Sequence, residues 1–338
     1  MIKNQGDPIV PENDAMSFLE NQDRIFGKNE IQQPSQERIQ TSLGQSRIVE
    51  RESTISSSND SYWKTVPLEN LPSQGLFYAE GSELSIRSAS VSEIRQWSTI
   101  DEGDPLDIDD QLNFILEKCC RFKINNGQSW LSWRDILEVD RLCVIFMIHE
   151  ISFPAGQNEL YAKFSCIGSC TDESGFSQDL KVHSGMLQIF TMPQEVMEWY
   201  SSEYKCFQVE SSILNETFYL YMPTIGVVER LRKRIAALRS EGRKVDKAFI
   251  KHAPYIIQDW SKLGKKEYGD LYESSVNWHI NKLTFIDRFV ELMQGARETS
   301  ISTGCPRCGS ILTTPLFSKS SFTIKSLFLI SGRLNELI

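Results

Sequence analysis

Hydrophobic residues recur at helical spacing through two stretches in the first half of the chain. Residues 105–122 predict an amphipathic helix, because their apolar positions fall on one face. That face is made of Leu112, Ile115, Leu116 and Cys119. Residues 131–153 predict a second helix, which begins with Ser132 as its cap and is apolar nearly all round. A helix without a polar face is typical of a core element, so this second helix is expected inside the fold.

Further helices are predicted from capping residues and from spacing. A helix is expected at 91–100, with Ser90 or Ser92 as its cap and an acidic residue in its first turn. Residues 225–263 have a helical pattern, and residues 274–298 predict another helix. The inward positions of this last helix are expected to be Trp278, Leu283, Ile286, Phe289 and Met293.

Alternation of apolar and polar residues predicts strands in shorter segments. Two short strands are expected on either side of residues 80–83, which have the composition of a turn. From about residue 158 onward, further short strands are predicted at 159–170, 186–192, 206–212 and 217–223. The combination of helices with small strands indicates the α+β class, in which short strands accompany a helical core.

Composition divides the chain into segments. Residues 1–60 are rich in Gln, Ser and charge and contain no Trp or Tyr, so we predict a disordered N-terminal arm or an arm that orders on a partner. The other predicted segments are an α+β domain at 61–157, a strand-rich segment at 158–223, a helical insertion at 224–300 and a C-terminal module at 301–338.

The overall charge and hydropathy exclude some classes of protein. The 338 residues carry a formal net charge of −9, whereas a non-specific nucleic-acid binder needs a dominant basic face. No apolar run approaches the roughly 20 residues that cross a bilayer, so no membrane partner is expected. The N-terminus lacks a charged start followed by an apolar core, which argues against a secretory signal and predicts synthesis in the cytoplasm.

Four of the eight cysteines form two close pairs, which is typical of metal ligands. Cys305 and Cys308 lie in the sequence CPRCG, where Pro and Gly favour a tight turn. Cys166 and Cys170 are three residues apart around a second glycine-containing turn. We therefore predict one structural zinc site with four thiolate ligands, which makes the C-terminal module similar to a zinc ribbon.

Two alternatives to zinc stay open for these cysteines. The four residues can be reduced cysteines in ordinary turns, or CPRC can be a redox motif. A redox motif normally opens a helix after a strand, whereas the residues that follow Cys308 look extended. The cysteines in apolar stretches, Cys119, Cys120 and Cys143, are predicted to be buried hydrophobic residues.

Other groups of polar residues are predicted to be structural. His149 and Glu150 are the pair that an enzyme would use, but an apolar helix beneath them predicts burial. Asp140 and Arg141 are expected to form an ion pair, and the acidic residues of 100–110 are expected at a solvated helix start. The basic residues Arg230, Arg232, Lys233 and Arg234 are expected on a solvated helix face or against an acidic partner.

The motifs at 66–101 and 133–153 resemble those of the baseplate hub and tail-assembly proteins of T-even-like contractile-tailed bacteriophages. That family has an L-P-S-x-G-x-x-Y opening, a strand with an I-R step and a helix near S-x-E. The matching residues here are Leu71, Pro72, Ser73, Gly75, Tyr78, Ile86, Arg87 and Glu93, and then Asp135, Asp140 and Arg141 in the central helix. The resemblance extends to larger relatives, which carry paired cysteines after this helix and C-P-x-C-G near the end. The resemblance covers roughly residues 62–170 and 300–330.

The resemblance implies a non-enzymatic component of the tail baseplate hub, made in the host cytoplasm and located in the virion. Its partners would be other tail and baseplate proteins, with no small-molecule substrate. One alternative is a chaperone of hub assembly that is absent from the mature virion. The others are a zinc-ribbon adaptor that binds nucleic acid and an enzyme that uses His149 and Glu150.

Overall fold

The computed structural model describes residues 62–124, 129–153, 159–166, 176–187, 190–296, 300–316 and 324–328. In this part of the chain the fold is mixed α+β, with small antiparallel sheets beside a set of helices, which confirms the predicted class. The arm predicted at 1–60 lies outside the described residues, and so do residues 329–338 of the C-terminal module.

The first sheet contains four antiparallel strands in chain order: β1 (Lys64–Val66), β2 (Ser82–Ile86), β3 (Cys120–Ile124) and β4 (Ser129–Leu131). Leu84 of β2 lies opposite Phe122 of β3, and both are buried. Only the second of the two strands predicted around residues 80–83 exists. The first is wrong, because residues 76–79 belong to a series of turns in which Gln74 and Gly75 have positive φ angles of 54° and 73°.

Two helices fill the connection between β2 and β3, as predicted. Helix α1 (Val91–Trp97) is capped by Ser90, whose side chain forms a reciprocal capping box with Glu93. Helix α2 (Pro105–Cys119) begins after Asp104, which accepts a hydrogen bond from Leu106 N. The predicted apolar face of α2 is correct, since all four of its residues are buried.

Helix α3 (Arg141–Ser152) begins nine residues later than Ser132. Two short 3₁₀ helices, Trp133–Asp135 and Glu138–Asp140, take up the preceding residues. The backbone at 136–138 pairs with residues 223–225, where the helix Ile225–Ser240 begins, and Glu138 N donates to Pro223 O at 2.9 Å. This tertiary pairing prevails over helical periodicity. The remaining helix is a core element as predicted, with seven of its residues buried.

The middle of the chain contains two small sheets. A hairpin is formed by β5 (Tyr161–Cys166) and β6 (Phe176–Lys181), and a three-stranded sheet by β7 (Tyr200–Ser201), β8 (Cys206–Ser211) and β9 (Glu216–Leu220). Helix α4 (Gln194–Met197) precedes the second sheet. The strand predicted at 186–192 is wrong, because its described residues make only isolated bridge contacts such as that of Leu187 with Ile301. The turn before it is held instead by the Glu150 carboxylate, which accepts hydrogen bonds from Ser184 N and Oγ.

Helices make up most of the next segment: α5 (Ile225–Ser240), α6 (Lys247–Ile256), α7 (Lys265–Val276) and α8 (Ile280–Gly295). The helix predicted at 274–298 is present as α8 but begins six residues later, because helical structure is interrupted at 277–279 and His279 caps α8 by accepting from Asn281 N. After α8 the chain forms a hairpin of two strands, β10 (Ser300–Gly304) and β11 (Ile311–Pro315). In the described part of the chain, no helix is both long enough and apolar enough to cross a membrane.

One hydrophobic cluster runs through nearly all of these elements. It extends from Val66 of β1 to Phe328 and includes residues of both cysteine-bearing hairpins and of α8. A second and smaller cluster lies among α5, α6 and α7, with Leu231, Phe249 and Tyr268 as members. The predicted domain boundaries stay predictions.

The Asp140 carboxylate is the buried polar centre of the first half of the fold. It accepts hydrogen bonds from Ser73 N at 2.8 Å, from Ser73 Oγ at 2.6 Å and from Tyr78 OH at 2.7 Å. The Tyr78 hydroxyl in turn accepts from Leu137 N at 3.0 Å. Burial raises the pKa of Asp140 to about 6, although the Ser73 and Tyr78 hydrogen bonds oppose the rise. A carboxylate with no exposed surface thus fixes the turn at 71–78 to the segment that leads into α3.

Trp260 joins α5 to the first half of the fold. Its indole Nε1 donates to Asp135 Oδ1 at 2.6 Å, and the Arg134 and Arg230 guanidinium groups lie over its ring. Gly226 of α5 lies beneath the ring, where an added Cβ would come within 2.5 Å of the indole Cγ. The absence of a side chain at position 226 therefore allows Trp260 to reach Asp135.

Replacement of Asp140 by Asn is expected to change how stability depends on pH. The pKa of Asp140 is about 6 in the folded protein and exceeds the ordinary aspartate pKa of 3.8, so this group favours folding at low pH and loses that contribution as pH rises through 4–6. The Asp140→Asn variant has no titratable group at this position. Wild-type stability should therefore fall relative to the variant by roughly 2 kcal/mol between about pH 4.5 and 7, as measured by urea unfolding. A constant difference across that range would contradict this account of Asp140.

Gly226→Ala is expected to destabilise the protein by about 1–3 kcal/mol, because the new methyl group must displace the Trp260 ring. The matched control is Gly269→Ala in α7, where an added Cβ meets no atom within 4 Å. That control should be neutral or more stable by up to about 1 kcal/mol through helix propensity. Urea unfolding of the two variants measures both effects, and equal stabilities would refute the contact argument.

Candidate metal centre

Two hairpins that are distant in sequence bring three cysteines together. Cys166 is the last residue of β5, whereas Cys305 and Cys308 lie in the turn between β10 and β11. Strand β11 lies directly beside β5, so the turn approaches the end of the first hairpin. The distance in sequence between Cys166 and Cys308 is 142 residues.

The sequence CPRCG folds as a tight turn for reasons that are local. Gly309 has a φ of +75°, a conformation that residues with a Cβ rarely adopt. Its N–H donates to Cys305 O at 2.9 Å, and Cys305 N donates to Ser310 O at 2.8 Å. These two hydrogen bonds fold the chain back on itself and hold both cysteines of the pair at one end of the hairpin.

The three sulfur atoms have a spacing that suits a single metal ion. All three lie within 4.8 Å of one another, and Cys166 Sγ is 3.6 Å from Cys308 Sγ. Thiolates bound tetrahedrally to zinc at about 2.3 Å are about 3.8 Å apart. Soft sulfur ligands select soft or borderline ions such as Zn²⁺ over Mg²⁺ or Ca²⁺. The three cysteines therefore fit a thiolate metal site.

The site is closed on one side and open on the other. Cys166 and Cys305 are each only 4% exposed, whereas Cys308 is exposed. The Cys308 sulfur also lies 3.3 Å from Ser310 Oγ. An ion in this position would be held against the hydrophobic cluster, with the Cys308 ligand facing solvent.

The structure brings together three of the four predicted ligands. Cys170 lies outside the described residues, so its place as the fourth ligand stays a prediction. Among the described residues, Cys166, Cys305 and Cys308 are the one group of His, Cys, Asp or Glu with a spacing that fits a metal. The residues after Cys308 form strand β11, so the predicted extended conformation is correct and CPRC does not open a helix as redox motifs usually do.

The other described cysteines are buried hydrophobic residues. Cys119, Cys120 and Cys143 are buried as predicted, and Cys206 of β8 is buried as well. Burial raises the pKa of the Cys119 and Cys143 thiols to about 12. These thiols therefore stay protonated near neutral pH and are poor nucleophiles and ligands.

His149 and Glu150 are both engaged in holding the fold together. His149 is buried as predicted, and its ring packs against Phe153 and Phe328 with centroids 5.2 Å and 6.0 Å away. The Glu150 carboxylate binds Ser184, as described above. Burial of His149 favours its structural role over the catalytic one.

Charged residues that the sequence places in clusters are distributed among separate contacts. The expected ion pair of Asp140 with Arg141 is wrong. The Asp140 carboxylate accepts hydrogen bonds from Ser73 and Tyr78. The Arg141 guanidinium forms ion pairs with Asp109 at 2.9 Å and with Glu138 at 3.5 Å. In the acidic stretch, the carboxylates of Asp101, Asp104 and Asp107 accept hydrogen bonds from nearby backbone N–H groups.

The arginines of the basic run in α5 face other parts of the protein. Arg232 forms an ion pair with Asp109 of α2, and Lys233 binds Glu229 at 2.6 Å. Arg230 donates to Leu263 O, and the Arg234 guanidinium lies over the Tyr268 ring. The three arginines therefore join α5 to its neighbours, whereas the exposed Lys233 pairs with a residue of α5 itself. Contacts within the chain occupy most of the cations that a nucleic-acid binder would present to solvent.

Comparison of the chain with protein-family models, with curated protein sequences and with solved structures finds no match. The phage resemblance therefore depends on the motif residues. Sequence reasoning placed Ser73, Tyr78 and Asp140 in those motifs without seeing that they contact one another, although hydroxyl groups in one motif and a carboxylate in the apolar stretch of the other were a usable signal.

Purified protein is expected to contain about one thiolate-bound divalent metal ion per chain, as elemental mass spectrometry would measure. Cys166→Ser and Cys305→Ser should each lose the ion, because each removes a ligand from the same cluster. Cys143→Ala removes a buried thiol outside the cluster and should keep it. Metal-free wild-type protein with readily titrated thiols would exclude the centre.

Proposed function

We propose that this chain is a non-enzymatic structural or assembly protein of a bacteriophage tail baseplate hub. The observation that carries the proposal is the buried network of Ser73, Tyr78 and Asp140. The two motifs that resemble the hub family are far apart in sequence, and in this fold they meet at one carboxylate. Contact between them supports the view that the motifs define a shared fold rather than an isolated match.

We infer further that the metal is zinc and that its role is structural. Four thiolates from Cys166, Cys170, Cys305 and Cys308 would leave no coordination position for water or substrate. Such a site stabilises a fold and carries out no reaction. Binding would join the two hairpins at their ends, and free energies on the order of 10 kcal/mol are typical of structural zinc.

Such a protein would act by binding other proteins through its surface, and its partners would be other tail and baseplate proteins. The virion is the expected location for a hub component, and the host cytoplasm is the site of its synthesis. The pairing of the α5 cations within the chain favours this role over that of a nucleic-acid adaptor. The burial of His149 favours it over an enzyme.

Deletion of the gene in the virus that encodes this chain is expected to abolish assembly of contractile tails, with free heads seen by electron microscopy. A wild-type copy supplied from a plasmid should restore tails, and so should the control Cys143→Ala. Cys305→Ser should fail to restore them, because it removes a ligand of the proposed zinc ion. Normal tails after deletion would refute the hub assignment.

The protein content of purified virus particles distinguishes a hub component from an assembly chaperone. Mass spectrometry of purified wild-type particles detects the chain if it remains in the baseplate. A chain found in infected cells but missing from particles would identify the chaperone.

A further inference from the structure

The three clustered cysteines differ in their access to solvent. Cys166 and Cys305 are buried, but Cys308 is exposed at the turn between β10 and β11. Small oxidants reach an exposed thiolate far more readily than a buried one. Among the three described ligands, Cys308 is therefore the one that an oxidant in solution would meet first.

The sulfur of Cys166 is in position to react with an oxidised Cys308. The two Sγ atoms are 3.6 Å apart, and a disulfide requires an approach to about 2.0 Å. Rotation of the two side chains at the ends of their hairpins can supply a movement of this size. Attack from Cys166 would link β5 to the β10–β11 turn, at the place where the metal would join them.

Among the described ligands, the alternative partner for Cys308 is Cys305, three residues earlier in the same turn. The two pairings depend on the fold in opposite ways. Cys305 and Cys308 stay near each other in any conformation of the chain, whereas Cys166 and Cys308 are 142 residues apart and meet only in the folded protein. The disulfide that forms therefore shows whether the folded arrangement of the three cysteines determines which one reacts with Cys308.

We propose that hydrogen peroxide converts this site into a disulfide between Cys166 and Cys308, with release of the metal ion. The proposal depends on the proposed zinc site, and it adds a redox response to that site. The two hairpins would then stay covalently joined under oxidising conditions, in which a zinc–thiolate site does not persist. A particle component made in a reducing cytoplasm and released into an oxidising medium would keep this junction in both.

The reaction balances with peroxide as the only oxidant. The Cys308 thiolate attacks one peroxide oxygen, the O–O bond breaks, and a sulfenic acid and hydroxide form. The Cys166 thiolate then attacks the Cys308 sulfur and expels a second hydroxide as the S–S bond forms. Two thiolates lose two electrons in total and one peroxide is reduced. Loss of two sulfur ligands releases the metal ion to solution.

The test uses full-length, zinc-loaded protein treated with limiting hydrogen peroxide in the presence of a chromogenic zinc chelator. The expected result is release of about one zinc ion per peroxide consumed. After alkylation and digestion, mass spectrometry should find the peptide pair that joins Cys166 to Cys308. Dithiothreitol followed by added zinc should restore the original metal content. The parallel arm repeats the oxidation in concentrated urea, where the Cys305–Cys308 disulfide should prevail.

Three results would overturn the proposal. The first is zinc release with only the Cys305–Cys308 disulfide under native conditions. The second is formation of irreversible sulfinic acids without a disulfide, and the third is retention of zinc at peroxide concentrations that oxidise the control peptide CPRCG. Protein purified without zinc would instead count against the metal site. The disulfide map of that protein would still test the pairing of Cys166 with Cys308. All of these measurements use the wild-type chain, so they do not depend on the folding of a variant.

Discussion

The fold depends on one carboxylate that has no contact with water. Asp140 precedes α3, the most deeply buried helix, and receives three hydrogen bonds from a turn more than sixty residues earlier in the chain. A buried charge of this kind persists only when its lone pairs are satisfied. The turn at 71–78 must therefore adopt its irregular conformation, and it carries β1 and β2 into place beside α3. Sheet, turn and helix are thus fixed relative to each other by a polar contact inside an apolar environment.

A second set of contacts fixes the helical segment to this unit. Trp260 donates to Asp135, and Arg232 of α5 forms an ion pair with Asp109. In the opposite direction, Arg134 of the first half binds Glu229 of α5. Burial raises the pKa of the Glu229 carboxyl, but three hydrogen bonds from Arg134 and Lys233 outweigh burial and hold that pKa below its usual value. The arginines of α5, which look like a binding surface in the sequence, therefore hold this helix against its neighbours.

Elements with strong local signals were predictable from the sequence. Helices α1 and α2 have capping residues and a clear apolar face, and β8 and β9 alternate cleanly. The errors lie where a distant segment decides the local conformation. Residues 133–140 have helical periodicity, yet pairing with the chain before α5 keeps them apart from α3. Residues 76–79 look like a strand, but Tyr78 must turn inward to Asp140. The pairing of two cysteine hairpins was predictable because ligand spacing is a chemical constraint. The partners of Asp140 have no such spacing, and the only sequence signal for them is a carboxylate in an apolar stretch and hydroxyl groups in a distant motif.

The position of the cysteine cluster also bears on the order in which the protein folds. Its ligands come from both ends of a loop that contains β6 to β10 and all the helices from α4 onward. Contacts of such high sequence separation form late, because the intervening chain must first be organised to bring the ends together. During synthesis Cys308 emerges long after the Ser73, Tyr78 and Asp140 turn is complete. We therefore expect the cluster to form late in folding, after the described elements between Cys166 and Cys305 have brought the two hairpins together.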